Sequence, residues 1–105
     1  MKIDRIENMW NGWFVGDFEP NVYRTKDFEV GCRVHLKQED HDAHYHTEVR
    51  EINYIVRGKM RIQGEVLGKG DIFILEPYEI SDAEFLEETE IVCVKTPSAN
   101  DKVII

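Results

Sequence analysis

From residue 28 onward, apolar and polar residues alternate. Phe28, Val30, Cys32, Val34 and Leu36 take one side of an extended segment; Glu29, Gly31, Arg33 and His35 take the other. This period of two predicts a strand over 28–36 with one buried face, the apolar one. Further strand-like runs follow at 44–47, 51–56, 60–63, 65–67, 72–75, 83–86 and 90–95. The runs are separated by Arg57-Gly58-Lys59, Gly64, Gly68-Lys69-Gly70 and Pro77-Tyr78-Glu79, each suited to a turn. Many short strands with no helical segment between them predict an all-β sandwich or barrel. Pro97 and the polar stretch 98–102 end the last strand, leaving 103–105 as a short tail. Before residue 28 the pattern is mixed. Ile3, Ile6, Trp10 and Trp13 fall at helical spacing, but Gly12 and Gly16 argue against a long helix. A short turn or helix is expected there, then a strand near 13–18, with the aromatic residues packing in the core or at an interface.

The chain has 105 residues, enough for one compact domain. No apolar run approaches the ~20 residues of a membrane span. The opening Met-Lys-Ile-Asp-Arg-Ile-Glu lacks the apolar region of a signal peptide, so a cytoplasmic protein is expected. Cys32 and Cys93 lie within strand patterns and read as small buried hydrophobes, a disulfide being the less favoured alternative. The net charge of −8 repels phosphate backbones and anionic bilayers, which argues against nucleic acid and membrane partners. Part of that charge serves solubility, and part could serve a cation site.

Candidate chemistry concentrates in His44-Tyr45-His46 and Glu51. Residues two apart in a strand share a face, so His44 and His46 project their rings the same way. Glu51 opens the next strand after four intervening residues, and a short turn can bring its carboxylate alongside the two rings. Two imidazoles and one carboxylate form a competent shell for Fe(II), Mn(II), Ni(II) or Zn(II). Asn53 shares the face of Glu51 and is a candidate ligand-binding residue. The other face of that strand, Ile52, Tyr54 and Val56, is apolar and needs covering, by the N-terminal segment or by a second subunit. His41, in the preceding loop, is expected to face solvent.

His44-x-His46-x4-Glu51-x6-Gly58 resembles the first motif of the cupins. Gly70-Asp71-Ile72-Phe73-Ile74-Leu75-Glu76-Pro77 resembles the start of their second. The resemblance covers about 28–95, with 1–27 as an N-terminal strand or turn segment. It implies a single cupin-type double-stranded β-helix (jelly-roll) barrel over 1–105, holding a divalent metal ion. Three departures stand out. Gln38 occupies a usual glycine position, Pro77-Tyr78-Glu79 replaces Pro-x-Gly, and Asp82 stands where a third histidine ligand is usual. The resemblance therefore implies a metal set of His44, His46 and Glu51, with Asp82 as a candidate fourth ligand.

Cupins include dioxygenases, isomerases, epimerases and non-catalytic binding modules, so the fold leaves the reaction open. One expectation is a metal-dependent enzyme acting on a small polar molecule such as a sugar, of the isomerase, epimerase or dioxygenase type. The alternative is a non-catalytic module that binds or senses a small ligand. A third reading is a metal-free β-domain acting through its aromatic N-terminal surface. The acidic run 79–88 is expected near the mouth with few basic residues, which favours a neutral ligand. A homodimer is expected, because the apolar outer strand face and Trp10, Trp13, Phe14 and Phe18 exceed what one small core absorbs.

Overall fold

The computed structural model describes residues 1–105. After a 3-10 turn at Ile6–Asn8 come ten strands. They are β1 (Trp13–Val15), β2 (Glu29–His35), β3 (His44–His46), β4 (Arg50–Arg57), β5 (Lys59–Ile62), β6 (Glu65–Gly68), β7 (Ile72–Leu75), β8 (Glu84–Phe85), β9 (Thr89–Thr96) and β10 (Lys102–Ile104). A five-stranded sheet runs in the order β1-β2-β9-β4-β7. Facing it are a three-stranded sheet, β6-β5-β8, and a two-stranded one, β10-β3. All named pairings are antiparallel. The turns fall where the sequence placed them. Gly58 sits at φ +101°, and a Cβ there would lie 2.4 Å from the Glu88 carbonyl oxygen, so only glycine fits between β4 and β5.

Two of the motif departures resolve in the backbone. Gln38, at the usual glycine position, takes the left-handed conformation that favours glycine, at φ +57°. In the Pro77-Tyr78-Glu79 turn the positive φ (+70°) falls on Tyr78 rather than Glu79. The Tyr78 amide donates to the His46 carbonyl at 2.7 Å, tying this turn to β3.

The 103–105 tail expected from the sequence is instead mostly strand. β10 pairs with β3, with Lys102 opposite His46 and Ile104 opposite His44.

The buried face of β2 is the reverse of the expected one. Gly31 and His35 are buried and Arg33 is half-buried, whereas Val34 is 51% exposed and Leu36 60%. The interior at this end is a polar site, so the polar side of the strand faces in. The apolar side joins a continuous outer surface. Val30, Val94, Ile52 and Ile74 form one cross-strand row, and Cys32, Val92, Tyr54 and Ile72 the next. The apolar core lies directly against this polar site, where Ile55, Met60, Ile62, Leu75, Phe85 and Ile91 pack together. Cys32 and Cys93 are free thiols on adjacent strands, one facing out and one in.

Candidate metal centre

β3 is pinned on both edges, to β10 on one side and to Ser81 on the other. The His44 amide donates to the Ser81 carbonyl at 3.2 Å, and the Ser81 amide donates back at 2.8 Å. This rigid three-residue strand buries both His44 (5% exposed) and His46 (7%) on its inner face. Glu51 comes from β4, between β7 and β9, where Lys95 and Leu75 are its cross-strand neighbours. The ligand atoms of His44, His46 and Glu51 all lie within 4.8 Å of one another.

The imidazole nitrogens divide their work. His44 Nδ1 is 2.9 Å from the Asp42 carbonyl oxygen, and His46 Nδ1 is 2.6 Å from Asp101 Oδ1. Each Nδ1 therefore carries the proton, and each Nε2 is free to act as a donor toward a metal. His46 Nε2 is 3.1 Å from Glu51 Oε1, but out of line for a hydrogen bond, so this buried nitrogen has no partner. Two atoms bonded at ~2.1 Å to one ion at right angles would stand about 3.0 Å apart. The orphaned nitrogen, the anchored rings and the spacing fit a divalent ion.

Asp101 is the residue that sequence reasoning missed. Besides holding His46, its other oxygen accepts from the Glu48 and Val49 amides at 2.7 and 2.9 Å. It thus fixes the turn that leads from His46 to Glu51. Burial works against its charge, but His46 and these amides hold its carboxyl down at about 2. Glu51 is likewise opposed by burial, yet His46 and Lys95 keep it at about 2. His46 is raised above its ordinary value by Glu51, against burial and with help from Asp101.

Asp82 lies outside the cluster. It is exposed, and its Oδ1 accepts from the Gln63 amide at 2.7 Å in the turn between β5 and β6. Period two explains this: Ser81, bridged to His44, faces inward, so its neighbour Asp82 faces out. His41 departs from expectation in the other direction. It turns inward and half-buried, with its ring 5.3 Å from that of His44 and edge-on to Phe85 at 5.8 Å. Burial, with His44 and His35 nearby, pushes it down to about 4.

Beside the three candidate ligands lies a cavity of about 90 Å³, lined among others by His41, His44, Glu51 and Asn53. Asn53 is 5% exposed, and its side-chain nitrogen has no partner. The acidic mouth expected from the sequence is not what the barrel presents. Glu84 and Glu88 face outward and pair with Arg61 and Arg57. Basic residues come instead from the inner faces of β2 and β9 and from β10: Arg33, Lys95 and Lys102 all line the cavity. No helix of the protein is long and apolar enough to cross a membrane.

Comparison with solved structures places this architecture. The chain superposes on an uncharacterized conserved protein with a double-stranded beta-helix domain from Klebsiella pneumoniae (TM-score 0.66, 22% identity, 76% of this chain and 71% of that one). It also superposes on KdgF from Halomonas sp. (TM-score 0.63, 23% identity, 72% and 74%). Ectoine synthase from P. lautus matches over the whole chain (TM-score 0.67, 11% identity, 100% and 90%). No family model matches the sequence, and no curated protein does. At these identities the likeness establishes the fold, a cupin double-stranded β-helix.

Proposed function

We propose that this cupin-fold barrel holds one divalent metal ion on His44, His46 and Glu51 and binds a small polar molecule beside it. The observation that carries this reading is the unpartnered His46 Nε2, held beside Glu51 while both histidine Nδ1 atoms are tied elsewhere. A buried imidazole nitrogen without a partner is unfavourable unless something is bound there. A two-histidine, one-carboxylate shell leaves coordination positions open, and a metal there would polarise or activate a ligand as a Lewis acid. Asp82 in its outward position supports the open shell. Cys93, pushed up to about 12 by burial, is not a ready nucleophile, so covalent catalysis has no support. The open coordination positions support a metal-dependent reaction, of isomerase, epimerase or dioxygenase type, with a passive binding module as the second reading.

Two further parts of the proposal rest on separate observations. The outer apolar rows favour a homodimer in which two copies stack these sheets, since Tyr54, Ile72 and Ile74 are 43%, 66% and 49% exposed. The two free thiols suit a reducing compartment such as the cytoplasm.

Elemental analysis of the purified protein tests the metal. About one divalent ion per chain is expected, falling towards zero in the His44→Ala/His46→Ala double variant. Equal metal content in the two proteins would overturn the assignment.

A further inference from the structure

We infer that the ligand taken up beside the metal is a small carboxylate rich in oxygen, not a neutral polyol. This inference rests on the site proposed above and names its substrate class. Three cationic side chains, Arg33, Lys95 and Lys102, line the cavity, where Glu51 is the one carboxylate. Lys95 is partly engaged, with Nζ 3.7 Å from Glu51 Oε1 and 4.7 Å from the centre of the Trp13 ring. Arg33 and Lys102 have no ion pair at all. The contrast with the rest of the surface is informative. The chain has six arginines, and the other five, Arg5, Arg24, Arg50, Arg57 and Arg61, each pair with a carboxylate. In a protein of net charge −8, a guanidinium without a carboxylate is the exception, and this one faces the cavity. Its guanidinium carbon lies 5.8 Å from the centre of the Trp13 ring.

A second observation concerns hydrogen bonding. The Asn53 side-chain nitrogen is buried, unpartnered and on the cavity wall. A buried amide donor costs free energy until an acceptor reaches it. A ligand oxygen supplies that acceptor, and a carboxylate group answers the unpaired cations. Inorganic phosphate would meet the same cations, but it is the more heavily charged anion and Glu51 shares the cavity, so the test below sets the two against each other. Size sets a further bound. The cavity volume of about 90 Å³ is the equivalent of about three waters, and the cavity is open to solvent on one side. Trp13, Lys95 and Lys102 also line an adjoining cleft of about 530 Å³, so a longer ligand could extend that way.

Calorimetry on the Zn(II)-loaded protein tests this, with glycerate, its neutral counterpart glycerol, and inorganic phosphate as probes. Metal content is measured on every sample. Glycerate is expected to bind at least about tenfold more tightly than glycerol or phosphate, a factor worth ~1.4 kcal/mol. Arg33→Gln and Asn53→Leu should each weaken glycerate binding about tenfold with metal content unchanged, while Arg33→Lys retains most of it. Circular dichroism checks that each variant is folded, and Arg33→Lys against Arg33→Gln remains decisive if Asn53→Leu is not. Absence of glycerate binding, glycerol or phosphate binding as tightly, or Arg33→Gln binding glycerate like wild type would overturn the inference. If the wild type takes up no metal but binds glycerate through Arg33, the metal assignment alone fails.

Discussion

His46 Nδ1 and Asp101 Oδ1 are 2.6 Å apart although 55 residues separate them in the chain. The contact orients the ring and raises the basicity of the nitrogen that faces Glu51. Asp101→Asn is therefore expected to lower metal affinity by about 10–100-fold. Competition with a chelating dye measures it. An unchanged affinity would mean that the pair only braces the turn at Glu48 and Val49.

Asp82 carries a different expectation. Its bond to the Gln63 amide supports a turn in which Gln63 itself adopts φ +49°. Asp82→Ala should cost roughly 0.5–1.5 kcal/mol of stability, the worth of one hydrogen bond, and leave metal content alone. Denaturant melts and elemental analysis of the same sample separate the two effects. Loss of metal with stability intact would bring Asp82 back into the coordination shell.

The outer sheet face gives a prediction about assembly. If the proposed homodimer forms through this face, placing a charge in the row formed by Val30, Val94, Ile52 and Ile74, as in Ile74→Glu, should convert it to a monomer by sedimentation velocity. Charged residues are depleted from the cores of such interfaces, where they lose water without gaining a partner. A monomeric wild type at micromolar concentration would show that these rows remain open to solvent.

His41 provides a pH dependence. Burial, with His44 and His35, holds its folded-state value at about 4, below the ordinary 6.5. The unfolded chain therefore binds the proton more readily than the folded one. Stability that depends on neutral His41 is complete above pH 6.5 and is lost as pH falls towards about 4. Because the ring is only half-buried, solvent screening limits the effect to roughly 1–2 kcal/mol. Denaturant midpoints of the metal-free protein at pH 7.5 and 4.5 check this. The difference between the two should shrink in His41→Gln, and an equal difference would remove His41 as the cause.

Some of this was legible in the sequence. Strand positions follow from alternation, the β4–β5 turn from Gly58, and the three candidate ligands from spacing along two strands. Direction across the wall was not legible. Alternation separates two faces without saying which one looks inward, and in β2 the usual assumption of apolar-inside fails because the interior holds Arg33 and His35. The same ambiguity placed Asp82 in the site by motif register, whereas the bridge between His44 and Ser81 turns it out. For β4, Glu51 marked the inner face, so Asn53 was correctly placed beside it. Asp101 and β10 were invisible for another reason. Three residues after a polar stretch carry no periodic signal, and their partner strand lies far away in sequence.

β10 also sets the order in which the site can be completed. As the chain emerges from the ribosome, His44, His46 and Glu51 appear early, but the strand that clamps β3 begins at Lys102 and the carboxylate that steers His46 is Asp101. A nascent chain halted before residue 101 contains all three candidate ligands without the partners that aim them. Metal capture in its final geometry therefore waits until Asp101 and β10 have been made, after the other nine strands.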